Sequence, residues 1–430
     1  MSAVVVFIIF AICLVIAIPI SISLGIVAVL PGAFDASFTA SAGYVIRSMV
    51  GGIDSFPLLA VPMFVLAGIL MAHGKISEKL FDVFVYFLGN KRAGIPCAVI
   101  ITCLFYGAIS GSAPATVAAV GSMTIPLLIE LGYEKDFSTA IVAVAGGLGV
   151  IIPPSIPFIM YAMATGESVS DLFLAGIVPG MMISALLIFY AYYYCRRHGE
   201  DREKIQAKMA QLKTKGFVNI LKESIWALLS PVIVLGCIYS GVASPTEAAV
   251  ISVFYSLFVS LFIYRSIKVK QIWGIMVEAM KTYAPILFIL ATSTAFSRVL
   301  TLMQVPQDVS AWIMTHFSNE IVLLLVINVV LLIVGMVMDT TPAILILSPI
   351  LLPIVEHVGM NPIHFGVMVI VNLAVGFVTP PVGVNLFVAS SLTNVPMMQI
   401  AKKAMPMIGY FMLALLPVSY THLTLPTNSL

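Results

Sequence analysis

The chain has 430 residues, of which 61% are hydrophobic and 9% charged, with a net charge of +2. Water-soluble domains carry roughly 25% charged residues, so a soluble body is excluded and most of the outer surface must meet lipid. The small net charge argues against a nucleic-acid partner, and five cysteines without CxxC spacing and six histidines without HExxH or HxxxH spacing give no support to a disulfide framework or a zinc or haem centre.

A membrane-spanning helix needs about 20 predominantly apolar residues. In chain order, spans are expected over 4–30, 57–72, 138–164, 177–194, 223–240, 246–264, 282–300, 365–392 and 404–416. Two further runs, 94–128 and 321–354, are too long for one crossing and are interrupted centrally by small, polar and proline residues. Each reads as a re-entrant hairpin, two half-helices that meet inside the bilayer and return to the same side. The tail PVSYTHLTLPTNSL turns polar where the last helix should continue. It reads as translated adaptor joined to a truncated frame, so 417–430 is set aside as non-native.

The breaks repeat. Pro57, Gly107, Pro114 and Ala115 match Pro285, Gly335, Pro342 and Ala343 at a spacing of 228 residues. After a one-residue gap, Pro126, Gly149, Pro153, Pro154 and Pro179 match Pro353, Gly376, Pro380, Pro381 and Pro406 at 227. Glycine and proline punctuate helices, so the halves share their interruptions as well as their hydrophobicity. The chain therefore divides into an N-terminal scaffold helix and outer segment (1–52), repeat 1 (53–195), a basic linker with scaffold helices (196–280) and repeat 2 (281–416).

Charge placement inverts one repeat against the other. Lys91 and Arg92 precede the first hairpin, whereas Asn319 and Glu320 precede the second. The helix from residue 177 ends in Arg196 and Arg197, while its counterpart begins with Lys402 and Lys403. The linker 196–222 carries eight Lys or Arg against three acids and is assigned to the cytoplasm by the positive-inside rule. The first hairpin then enters from the cytoplasm and the second from outside.

Chemistry concentrates at the breaks. The first tip runs through Ser110, Gly111, Ser112, Pro114 and Thr116, and its partner break through Gly149, Ile152, Pro153, Pro154 and Ser155. The second tip holds Met338, Asp339, Thr340 and Thr341, with Gly376, Thr379, Pro380, Val382 and Asn385 at the partner break. Interrupted backbone at membrane depth survives only where protein, water or a bound ion satisfies it. Free carbonyls suit a small hard cation, and half-helix N-termini with hydroxyls suit an anion. A packing kink is the alternative for any one break, but four in two symmetric pairs favour a binding centre. Asp339 is read either as a cavity, ion-attracting or proton-relay group or as the cap of the returning half-helix. Ser244, Pro245 and Glu247 spell a capping box, which accounts for Glu247 locally. Arg298 is expected near an outer helix end.

The segments FYGAISGSAPATVAAVGS, GVIIPPSIPFIMYA, ASPTEAAV, GMVMDTTPAILILSPILLPI and NLAVGFVTPPVGVNLFVASSL resemble the large membrane subunit of TRAP transporters, the tripartite ATP-independent periplasmic systems. The resemblance implies a multi-pass protein of the bacterial inner membrane, all α-helical, with an inverted repeat and an elevator mechanism. It implies no cofactor beyond Na⁺ as coupling ion. Its partners would be a separate small membrane subunit, a periplasmic substrate-binding protein and an organic acid such as a C4-dicarboxylate or sialic acid. Sodium is then expected at Ser110, Gly111 and Ser112 with Gly149, Ile152, Pro153 and Pro154. A second site is expected at Met338, Asp339 and Thr340 with Gly376, Thr379, Pro380 and Val382. Substrate contacts are expected at Ser110, Ser155, Asp339, Thr340 and Asn385. Two other readings are a stand-alone sodium–anion symporter and, lacking a base paired with Ser110, an intramembrane enzyme.

Overall fold

A computed structural model describes residues 2–35, 38–214, 216–316 and 319–420. Among these the secondary structure is entirely helical, and nine helices are long and apolar enough to cross a membrane. Residues 3–34 hold two helices, Ala3–Val15 and Ile20–Phe34, instead of the single span expected over 4–30. Ala17 is left-handed at φ 61°, and Pro19 stands ahead of the second helix without an N–H to continue the ladder.

Both hairpins form. The first pairs Gly94–Ser110 with Ala113–Glu130, and the second pairs Glu320–Val337 with Thr340–His357. Both partner helices are discontinuous. The first runs Lys135–Ala145, tightens to a 3₁₀ turn over Gly146–Val150 and resumes at Ile156–Thr165; the second runs Pro362–Gly376 and resumes at Val384–Thr393. The peptide bonds Pro153-Pro154 and Pro380-Pro381 are both cis, one in each break.

The repeat extends to packing. A Cβ on Gly107 would stand 2.7 Å from the Cα of Gly149, and one on Gly376 would stand 2.3 Å from the carbonyl carbon of Gly335. The two aligned glycine pairs thus bring hairpin and broken helix into backbone contact in each half. Between helices in lipid, where water expulsion contributes little, such close approach supplies the attraction.

The hairpins, the broken helices, Val169–His198 and the last helix contribute to one core. The N-terminal helices, Ala42–Ile53 and the 34-residue helix Val269–Leu302 pack into another. Two amphipathic connectors, Ile76–Leu88 and Val305–His316, lead into the hairpins; neither reaches spanning length. Ser244 and Glu247 form the expected capping box at Pro245–Phe258, and Arg298 is exposed beside Gly51. The basic linker is fastened by Glu200, which accepts from the Ala93 N–H at 3.0 Å and the Tyr133 hydroxyl at 2.6 Å and pairs with Arg202 at 2.8 Å. This places the linker at the base of the first hairpin.

The last helix runs Met397–Tyr420, four residues beyond the expected end of native sequence. Val418 offers its carbonyl to His364, and the Ser419 hydroxyl donates to Asn328 Oδ1 at 3.1 Å, so 417–420 belongs to the folded helix. The rest of the expected tail, 421–430, lies outside the described residues.

Candidate functional site

The first tip turns at Gly111, whose φ of +60° suits a residue without Cβ. The Ser110 hydroxyl lies 3.0 Å from Thr116 Oγ1, which donates to the Ser112 carbonyl at 2.8 Å. The Ile156 N–H donates to the Gly111 carbonyl at 3.2 Å and pins the tip to the first break. A Cβ on Gly149 would meet Thr116 Oγ1 at 2.5 Å and the Ser112 carbonyl oxygen at 2.8 Å, and one on Gly111 would meet the Pro154 oxygen at 2.9 Å. Hard oxygens therefore converge where glycines leave the backbone open, a donor set that fits Na⁺ without a carboxylate cage.

At the second tip Asp339 caps the returning half-helix, accepting from the Thr340 N–H at 2.8 Å. The Val382 N–H donates to the Met336 carbonyl at 3.1 Å, fixing the tip to the second break. Thr379 Oγ1 donates to the Val375 carbonyl at 2.8 Å. Met338, Thr379 and Pro380 are half-buried and Val382 is exposed, so this break is more open than the first, where Gly149, Ile152, Pro153 and Pro154 are all buried.

One cavity of about 630 Å³ brings the two tips together. Ser110, Gly111 and Ser112 line it with Asp339, Thr340 and Thr341, and Val150, Ile156 and Phe377 contribute from the broken helices. Its rim carries His73, Glu78 and Glu278, with His73 Nε2 3.0 Å from Glu278 Oε2. Acids are present, yet no Lys or Arg is among the described lining residues.

Two expected substrate contacts lie outside the wall. Ser155 is fully buried and donates its hydroxyl to the Val150 carbonyl. Asn385 is fully buried and donates Nδ2 to the Ala143 carbonyl at 3.0 Å. Both face the protein interior because the resumed helices turn these side chains toward the breaks and away from the cavity. Residues that sequence reasoning left out of the site are Thr116, His73, Glu278 and Thr282. Thr116 stood in the tip motif and, one turn after Ser112, was in principle legible; the rim residues come from distant helices.

The fold and site define a polytopic helical permease built as an inverted repeat around paired hairpin tips. Residues 7–423 match the family described as tripartite ATP-independent periplasmic transporter, DctM component. The chain is 43% identical over 411 residues to an isethionate TRAP transporter permease protein DctMQ of Oleidesulfovibrio alaskensis, covering 96% of this chain and 64% of that relative. It is 39% identical to a C4-dicarboxylate TRAP transporter large permease of Pseudomonas aeruginosa, covering 85% of this chain and 84% of that one. It is 38% identical to a 2,3-diketo-L-gulonate TRAP transporter large permease of Escherichia coli, covering 81% and 80%. In fold it is similar to the Alcanivorax borkumensis YdaH transporter, with a TM-score of 0.64 at 14% identity over 94% of this chain and 97% of that one. The Neisseria gonorrhoeae MtrF efflux pump gives 0.62 at 14% identity, covering 93% of each chain. The chain belongs to the DctM family of TRAP transporter large permeases, and is a multi-pass protein of the bacterial inner membrane and not an enzyme.

Proposed function

We propose that this chain is the translocating subunit of a sodium-driven TRAP system that imports a small organic acid. The observation that carries the proposal is the convergence of both hairpin tips on one cavity, with Ser110, Asp339 and Thr340 on its wall. Sodium is held by the first tip and break (Ser110, Gly111, Ser112, Gly149, Ile152, Pro153, Pro154) and by the second (Met338, Asp339, Thr340, Gly376, Thr379, Pro380, Val382). The cation charge, with the open N-terminus of the half-helix after Ser112, offsets the anion, since no Lys or Arg is among the described lining residues. The substrate is a carboxylate or a comparable small organic anion, in keeping with the relatives named for C4-dicarboxylate, isethionate and diketogulonate. A small membrane subunit and a periplasmic binding protein complete the system.

Movement is of the elevator kind: the bundle of hairpins and broken helices slides against a scaffold that includes Ala60–His73 and Val269–Leu302.

The test is uptake into proteoliposomes under an inward Na⁺ gradient, with and without the small subunit and a cognate binding protein. Uptake that needs sodium and all three components supports the proposal. Uptake by this chain alone would replace it with a stand-alone sodium–anion symporter.

A further inference from the structure

Asn385 is fully buried at the start of Val384–Thr393, and it joins parts of the chain that the repeat keeps separate. Its backbone N–H donates to the Phe377 carbonyl at 3.0 Å, closing the second break on itself. Its Nδ2 donates at 3.0 Å to the carbonyl of Ala143, 242 residues earlier. Ala143 lies in the last turn of Lys135–Ala145, immediately before the 3₁₀ segment of the first break. Where an α-helix tightens to 3₁₀, its carbonyls exchange partners, and an outside donor can hold one in place. Asn385 supplies that donor. Its Oδ1 has no hydrogen-bond partner, so the bond to Ala143 sets the orientation of the amide. Reversing the amide would set two carbonyl oxygens against each other.

The link is not a product of the repeat. The counterpart of Asn385 at a spacing of 227 is Phe158, which has no polar group to return the bond. One residue thus connects the first break, through its side chain, to Phe377, through its backbone N–H, and Phe377 lines the cavity between the tips.

We infer that Asn385 is a positioning residue that couples the two breaks, so that a cation held at one prepares the other. This rests on the sodium sites proposed above. Coupling between sites commonly changes affinity by about 5- to 150-fold. Binding that shares a prepared geometry is then cooperative.

The experiment is sodium titration of thermal unfolding for the purified full chain in lipid nanodiscs, with choline as the control cation. Wild type is expected to be stabilised by Na⁺ with a Hill coefficient above one. Asn385→Leu and Asn385→Asp are expected to titrate without cooperativity and with a half-saturating Na⁺ at least about 5-fold higher. A merely structural role would lower the unfolding temperature at every sodium concentration and leave the Hill coefficient in place, which overturns the inference. No sodium effect on wild type would instead overturn the sodium reading and this inference with it. Should both variants fail to assemble, Thr116→Ala tests the link with Asn385 intact. It should raise hydrogen exchange over 377–385 in saturating Na⁺, and unchanged exchange there overturns the coupling.

Discussion

Gly68 presents bare backbone to Ser110: a Cβ added to Gly68 would stand 3.2 Å from the Ser110 Cα and 3.3 Å from its Cβ. The Tyr106 hydroxyl, one turn earlier on the hairpin, donates to the Gly68 carbonyl at 3.0 Å. The helix Ala60–His73 therefore meets the first tip closely at Gly68, where a side chain would have no room. Gly68→Leu should leave membrane insertion intact and destabilise by about 1–3 kcal/mol through overpacking. Uptake should fall much further than the folded fraction, measured in the same proteoliposomes against unfolding in nanodiscs.

Asp339 caps a half-helix and also faces the cavity, and one substitution separates the two roles. Asn is as good an N-cap as Asp, so Asp339→Asn should change stability by only a few tenths of a kcal/mol. Uptake should nevertheless be lost, as it should in Ser110→Ala. Unchanged uptake in both variants would remove the proposed site from the tips.

Ser244 is a contrasting case, a cap far from the cavity. Ser244→Ala should cost about 1 kcal/mol in unfolding free energy through loss of the reciprocal pair with Glu247, and leave substrate affinity as it was.

Glu134 accepts from Lys403 and from the Tyr194 hydroxyl where the first broken helix begins. The Lys403 ammonium first, then Tyr194, holds its carboxyl below the ordinary carboxylate range. A lowered folded-state pKa contributes stability that is present above the unfolded value near 4.5 and disappears as pH falls below it. The pair is half-exposed, so its worth is about 0.5–1 kcal/mol. Lys403→Met should remove that increment at pH 7 and flatten the acid limb of stability between about pH 5 and pH 3, read from unfolding scans.

Much of the architecture was legible because proline and glycine act through the backbone, whose rules are local. Gly107 with Gly149 and Gly335 with Gly376 could be aligned without knowing that each pair touches. The turn at Ala17 was passed over because mean hydropathy stays high across it, although Pro19 marks the break in the sequence. The connectors Ile76–Leu88 and Val305–His316 are amphipathic and short, and a search for spans passes over them. Asn385 is expected at the substrate only through the family resemblance. Its direction is decided by Ala143, a contact no periodicity records. His73 and Glu278 meet across 205 positions for the same reason. The last turn, through Ser419 and Tyr420, reads as foreign by composition and is kept in the helix by its bond to Asn328.

The fixed charges of the cavity bear on how faithfully the permease converts one gradient into another. With Glu78, Glu278 and Asp339 among the described lining residues and, of the described Lys and Arg, Lys75 alone paired to one of them, 3.9 Å from Glu78, a lone organic anion entering an ion-free cavity meets more negative than positive formal charge. In a permease working as proposed, the carrier moves fully loaded or empty, and the half-loaded states that would dissipate the sodium gradient are the ones the wall disfavours. Replacing a wall hydroxyl by lysine would therefore do more than alter affinity: it would let the substrate ride without its ions and turn a pump into a leak.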